Sequence, residues 1–331
     1  LIDLTSNDYF GFAQTCNSLK RSSRAGSTGS RLLTGNCSFY EQLETQIARF
    51  HRAESCLIYN SGYTANLGLL SALGTEAVTF LYDLEIHASM IDGIRLSLAK
   101  SLPFRHNDLD SLEWRLKKAI LPAFVLVESI YSLSGEFAPL QGMVALCAKY
   151  KANLIVDEAH ATGIRGENGE GAVVELGLES EVFARMLTFS KALGAHGACV
   201  LGSKILKKYL LNFSRPLIYT TALPESALAS IEASYEKLQK EVKFHQKRIH
   251  HLIAYFCEKA RIKNSQSPIQ PLYIPEMIEK LHFLSQQLRE IGLDVRAVVP
   301  PTVARGKECL RVVLHSFNRY EEIDQLVQAV L

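Results

Sequence analysis

Lys191 is the residue of this 331-residue chain best placed for covalent chemistry. It stands in Thr188-Phe189-Ser190-Lys191-Ala192-Leu193-Gly194, where an apolar run beginning at Ala184 gives out. An amine at the end of a buried strand, among hydroxyls and close to a glycine, can form a Schiff base with a carbonyl compound, although a lone lysine is more often a solvated surface cation. A second apolar run, Asn153 to Val156, ends in Asp157 at the matching position. A lysine that can hold a carbonyl and a carboxylate that can face a ring nitrogen are the pair that pyridoxal phosphate requires.

Other polar groups gather at similar places. Ala123 to Val127 reads as a strand ending in Glu128-Ser129-Ile130-Tyr131-Ser132, and Asp157 opens the run Asp157-Glu158-Ala159-His160-Ala161-Thr162-Gly163. Polar residues just beyond the ends of several buried strands are the layout of a ligand crevice in an open α/β sheet. His87 lies in a loop, Asp83 to Ser89, between a strand over Ala77 to Tyr82 and a helix ending near Lys100; a structural and a catalytic role both stay open for it. Asn60 to Asn66 opens a helix with Leu67, Leu70 and Leu73 on its apolar face. Backbone N–H groups at such a start attract anions, and Gly62 leaves room for a phosphate.

The elements that must position these groups follow from the rest of the pattern. Gly26 to Asn36 is rich in small and hydroxyl residues and reads equally as a linker or a ligand-facing loop. Ser38 and Glu41 read as a capping box for a helix carrying Leu43, Ile47 and Phe50 on one face. Ser6 to Gly11 is a surface loop or the lip of a pocket. Beyond the lysine come a short strand, Ala198 to Leu201, a helix over Lys204 to Asn212, and a long helix from Pro224 to near Arg261. The polar stretch Lys263 to Ser267 then separates that helix from a strand at Ile269 to Ile274, and two further strands, Asp294 to Val299 and Cys309 to His315, and a last helix from Arg319 follow. The expected fold class is α/β: a large domain with a mostly parallel sheet over residues 20–225, and a small α+β domain made of 226–331 joined by 1–19.

Composition excludes several alternatives. With 47% hydrophobic and 21% charged residues the chain can bury a large core. A net charge of +2, from 36 basic and 34 acidic residues without long blocks, implies no nucleic-acid partner. Seven scattered cysteines with no C-x-x-C spacing suit a reducing, cytoplasmic setting and leave no metal site to propose. No apolar run reaches the roughly 18 residues of a membrane helix. Gly166, Gly169 and Gly171 do not follow the dinucleotide spacing, and no phosphate-loop or nucleophile-elbow motif is present.

Asn7-Asp8-Tyr9, the Gly26 to Asn36 run, Ser61-Gly62-Tyr63, His87-Ala88-Ser89, the Asp157 to Gly163 run and Thr188 to Lys191 together resemble the α-oxoamine synthases, in that family's order and over nearly the whole chain. The resemblance implies a fold type I pyridoxal 5'-phosphate enzyme working as a homodimer. By the same resemblance Lys191 holds the cofactor and then serves as base, Asp157 pairs with the ring nitrogen, and His87 covers the ring face and contacts substrate. His160 and Ser132 would reach the phenolic oxygen, Gly62 and Tyr63 position the cofactor, and Thr188 holds its phosphate. Thr220 and Thr221 match a segment that reaches the partner subunit's phosphate. Arg311 matches the arginine that clamps an amino-acid carboxylate, where a surface ion pair is the plainer reading; Thr302 and Asn7 match substrate contacts, and Glu128 a carboxylate near the acyl side. Gln270-Pro271-Leu272 and Pro300-Pro301-Thr302-Val303 are most similar to the member that condenses L-alanine with a pimeloyl thioester, carried on coenzyme A or a carrier protein, with loss of carbon dioxide in biotin biosynthesis. A sister synthase such as glycine C-acetyltransferase, an aminotransferase, and a non-catalytic regulatory relative are the alternatives. Family members carry a segment ahead of the Asn7 motif with an arginine for the acyl substrate. The expectation is therefore either a truncated or processed amino terminus or a shorter member using another thioester.

Overall fold

A computed structural model describes residues 1–15, 25–262, 266–274 and 278–330. The boundary expected at residues 19 and 20, and most of the polar break after Arg261, lie outside them. Seven strands form the main sheet: β1 (Ser55–Tyr59), β2 (Thr79–Asp83), β3 (Lys100–Phe104), β4 (Ala123–Glu128), β5 (Asn153–Asp157), β6 (Ala184–Thr188) and β7 (Ala198–Gly202). Their spatial order is β1-β7-β6-β5-β4-β2-β3, and only β7 runs antiparallel to its neighbours. Strands β4, β5 and β6 are buried at every position except Asn153, as apolar runs covered by helices on both faces require.

Helices Gly62–Leu73 and Ala88–Leu96 pack on one face with Leu69, Leu70, Met90 and Ile94 in the core, and Leu140–Tyr150 with Met143 and Cys147 covers the other. The 36-residue helix Glu225–Ala260 shares one apolar core with residues of the main sheet, such as Leu187 and Leu201, and of a second one, such as Leu272 and Leu310. That sheet has three antiparallel strands, β8 (Ile269–Tyr273), β9 (Arg296–Val298) and β10 (Cys309–Val313), in the order β9-β10-β8. The first residues join this end of the molecule: Ile2 and Asp3 pair in parallel with Leu293 and Asp294, and the Val313 N–H donates to the Leu4 carbonyl.

Several local expectations need correction. The helix expected to end near Lys100 stops at Leu96, and Lys100 begins an edge strand, β3. Its sequence, Lys-Ser-Leu-Pro-Phe, is half exposed and carries a proline, which only an edge position tolerates, so it lacks the apolar signature of a central strand. β1, buried at every position, is a strand beyond those expected from the sequence. The stretch Asp294 to Val299 is not one strand: the chain switches sheets at the buried Val295. The capping box at Ser38 is absent because the helix Ser38–Phe50 starts one residue earlier, with Cys37 as its cap. The Glu41 carboxylate instead accepts from Asn36 Nδ2 at 3.0 Å.

The loop after β6 is braced from the amino-terminal side. Gly194 has φ +60° and its N–H donates to the Lys191 carbonyl at 2.9 Å; a Cβ there would stand 2.2 Å from the Ala13 nitrogen. Positive φ combined with a backbone clash leaves no room for a side chain. Gly194→Ala is therefore expected to cost about 3 kcal/mol or more of stability, measured by urea unfolding. A variant as stable as the parent would show that this brace is not tight.

Candidate active site

Parallel register brings the ends of the central strands to one level. Glu128 is the Cα partner of Asp157, and Asp157 that of Met186, two residues before Thr188. Asp157 is 4% exposed, and both carboxylate oxygens accept hydrogen bonds: Oδ2 from Asn66 Nδ2 at 2.8 Å and Oδ1 from the Ala159 N–H at 2.9 Å. Asn66 is carried by the helix Gly62–Leu73, whose start is held by a reciprocal cap between Ser61 and Thr64. It also donates to Ser89 Oγ at 3.0 Å. Ser89 is bonded in turn to His87, whose Nδ1 accepts the Ser89 N–H at 3.2 Å and lies 2.8 Å from Ser89 Oγ. An Nδ1 that accepts a backbone N–H leaves the other ring nitrogen to carry the proton.

A cavity of about 240 Å³ lies between these elements, and Gly62, Tyr63, His87, Glu128, Asp157, Thr188, Ser190 and Lys191 are among the residues lining it. Burial, opposed by Asp157 and Glu128 and helped by Arg311, pushes the Lys191 amine down to about 8. Near neutral pH a useful fraction of it is then the uncharged nucleophile. His87 is held below the ordinary histidine range by the desolvating walls of the cleft, and Lys191 adds to this while Asp157 opposes it. Thr188 Oγ1 donates to the Gly197 carbonyl at 3.2 Å and lies 2.9 Å from Ser190 Oγ. A Cβ on Gly62 would stand 3.5 Å from the Met186 side chain and 3.6 Å from that of Thr188, so a longer side chain would fill the space between the helix start and β6.

The remaining expected residues fall into three further groups. Arg311 on β10 donates through Nε to the Ser132 carbonyl at 2.9 Å and through Nη2 to Asn7 Oδ1 at 3.1 Å, tying the second sheet to the first. Ser132 thus offers its main chain to Arg311. His160 is buried, with Nδ1 2.6 Å from the Tyr9 hydroxyl; burial first, then Lys191, Arg311 and His87, hold it well below the ordinary range, as a neutral ring. Thr221 gives its carbonyl to Asn60 Nδ2 at 2.9 Å, which places the Thr220-Thr221 segment beside the approach to Ser61 and Gly62. Thr302 lines a different, larger cavity of about 570 Å³ together with Ile86, Tyr131 and Leu133, chain neighbours of His87 and Ser132. Gly26 to Asn36 packs against the same region as Thr221, since Ala222 donates its N–H to the Gly29 carbonyl and accepts from Ser27 Oγ.

Asn66 and Tyr9, which orient Asp157 and His160, were not assigned roles from sequence. Asn66 did carry a signal, being a polar residue among the buried Ala65, Leu69 and Leu70 of one helix. Tyr9 carried none beyond its motif.

The donor set fits pyridoxal phosphate. An amine able to bond a carbonyl, a carboxylate fixed by two donors, an imidazole wall, hydroxyls and a glycine-opened helix start meet on one cavity.

The chain is similar to known proteins along nearly its whole length. The family model described as aminotransferase class I and II matches residues 1–330. The 8-amino-7-oxononanoate synthase of Emericella nidulans is 40% identical over 92% of this chain and 80% of its own length. That of Lysinibacillus sphaericus is 34% identical over 98% and 87%. A serine palmitoyltransferase from S. paucimobilis, solved with bound PLP-myriocin, superposes with a TM-score of 0.93 at 27% identity, covering 98% of this chain and 85% of that one. With its strands, its lysine cavity and its relatives in agreement along the full length, the chain belongs to the aminotransferase class I and II family, in the α-oxoamine synthase branch.

Proposed function

We propose that this protein is a pyridoxal 5'-phosphate-dependent acyltransferase that condenses L-alanine with a pimeloyl thioester, with loss of carbon dioxide, to give 8-amino-7-oxononanoate for biotin biosynthesis. The observation that carries the reading is the sharing of one cavity by the Lys191 amine, the doubly hydrogen-bonded Asp157 and the His87 ring, in a chain whose relatives bear that enzyme's name. When bound, the cofactor supplies an electrophilic carbonyl carbon and a ring that draws electron density from an amino-acid α-carbon.

The chain's own residues do the rest. Lys191 is the covalent anchor and, once free, the group that takes and returns the α-proton. Asp157, held in place by Asn66 and the Ala159 N–H, is aimed to keep a proton on the ring nitrogen. His87 walls one face of the cleft, and the neutral His160, pinned by Tyr9, is a hydrogen-bond partner for the phenolic oxygen, a task we also assign to Ser132. The Gly62 and Tyr63 helix start and Thr188 suit the phosphate, and Arg311 offers a planar fork to the alanine carboxylate while Asn7 holds its Nη2. Thr302, in the neighbouring cavity, is assigned to the acyl side.

We further read the protein as a cytoplasmic homodimer in which Thr220 and Thr221 complete the partner's phosphate site. Its large domain spans 20–225, and 1–19 with 226–331 form the small one. No helix of the described residues is long and apolar enough to cross a membrane. A sister synthase acting on glycine or L-serine is the second reading, favoured by the close superposition on a serine palmitoyltransferase. Supplying L-alanine, glycine or L-serine with pimeloyl-CoA, acetyl-CoA or palmitoyl-CoA separates the two. Turnover with L-alanine and pimeloyl-CoA is expected, and a preference for another pair would replace the assignment.

Three outcomes test the residue roles. Borohydride reduction followed by peptide mass mapping should place the cofactor on Lys191 and nowhere in Lys191→Ala, whose turnover should fall about 1000-fold or more. Arg311→Ala should raise the KM for L-alanine about 10- to 100-fold, and Arg311→Lys should recover only part of this. Because burial lowers the Lys191 amine to about 8, the rate of cofactor capture by the stripped protein should rise with pH and level off above that value. A rate still climbing toward the ordinary lysine range near 10.4 would contradict the buried placement.

A further inference from the structure

Glu128 is a second carboxyl in the same cleft; the family resemblance sets it near the acyl side, and none of the roles above gives it a chemical task. It ends β4 as the register partner of Asp157, is 2% exposed, and lines the cavity with Lys191 and His87. One oxygen, Oε2, accepts the Ser132 N–H at 3.1 Å; the other, Oε1, has no partner in hydrogen-bond geometry, the His87 N–H being near enough only to pull weakly on the carboxyl. An ionised carboxylate left buried with a bare oxygen beside another acid is costly, whereas a protonated one has a single donor to place. Burial, and after it Asp157, push this group well above the ordinary carboxylate range, against the pull of Lys191 and the Ser132 and His87 N–H groups.

Thr302 lines the neighbouring cavity and not this one, so the roles above give the thioester carbonyl oxygen no donor within the cleft itself. The amino-acid carboxylate is assigned to Arg311 and the α-proton to Lys191. We propose that Glu128 is held as the neutral acid and donates its O–H to the carbonyl oxygen of the acyl thioester. With Oε2 held by the Ser132 N–H, the proton belongs on Oε1, and turning the O–H about its own C–O bond aims it into the cleft without moving Oε2. When the thioester carbon is attacked, a new bond forms to that carbon and the carbonyl π pair moves onto the oxygen that Glu128 holds. The pair returns as the C–S bond breaks and the thiolate leaves to be protonated by water. Glu128 keeps its proton throughout and stabilises the charge on oxygen, a contribution worth about 100-fold or more in rate when one such donor is removed.

The proposal rests on the acyltransferase function above, and its test separates the two. Infrared difference spectra of the cofactor-loaded protein against Glu128→Gln at pH 7 should show a deuterium-sensitive carbonyl band of a protonated carboxyl, which moves when pimeloyl-CoA is added. In the condensation assay, Glu128→Gln still accepts from Ser132 and still offers a donor, so kcat/KM for the thioester should fall about tenfold. Glu128→Met, with no donor, should fall about 100-fold or more. Affinity for L-alanine, read from its effect on the cofactor spectrum, should change less than about threefold in both. No band in a protein that turns over, or Gln as impaired as Met, means that the group acts as an anion and overturns the proposal alone. Loss of L-alanine affinity in Glu128→Met in step with turnover means that Glu128 only holds the Ser132 carbonyl against Arg311, and also overturns it. A band that neither moves nor accompanies any condensation overturns the proposal together with the assigned function.

Discussion

Burying the Asp157 carboxylate at the end of a central parallel strand is the constraint on which the rest of the structure depends. A carboxylate 4% exposed must be supplied with donors, and here one comes from its own loop and one from Asn66 on the helix Gly62–Leu73. That second bond fixes the helix against the sheet, and the same amide reaches Ser89 and through it His87. One buried acid thus sets the positions of the helix start, the imidazole wall and, across β6, the lysine loop. The Lys191 amine lies below the ordinary lysine range because its burial is only partly offset by the carboxyls facing it.

A second chain of contacts ties the two sheets together. Glu128 accepts from Ser132, the Ser132 carbonyl accepts from Arg311, and Arg311 donates to Asn7. The amino-terminal residues pair with Leu293 and Asp294 and brace the lysine loop at Gly194. Asn7 and Arg311, 304 residues apart in the chain, therefore meet beside the segment that follows β4. Few of these contacts are between apolar side chains; they are directional bonds, which fix orientation as well as position.

Much of the site was legible because its residues punctuate strong local patterns. Asp157 and Lys191 each follow an apolar run that can only be a buried strand, and Gly62 opens a helix whose apolar face is plain. The edge strand β3 escaped because a half-exposed strand with Pro103 has neither the alternation nor the apolar run that marks its neighbours. The capping box at Ser38 failed because the matching spacing occurs one residue inside the helix, where Ser38 is already helical and Cys37 holds the extended cap position. Thr302 came to line the larger cavity, and Ser132 to serve Arg311 through its main chain, since neither placement leaves a trace in composition or spacing.

By itself the sequence determined which residues end strands and open helices, because those features depend on side chains within a few positions of each other. It determined, too, that a lysine and an acid of the right kinds stood at such ends. Only the tertiary structure decided that β4, β5 and β6 lie side by side in a register that brings Glu128, Asp157 and Met186 level, with Thr188 two residues beyond, since strand order arises from contacts distant along the chain. It likewise decided the proton affinities of Lys191 and Glu128, because these depend on burial and on charges brought near only by folding.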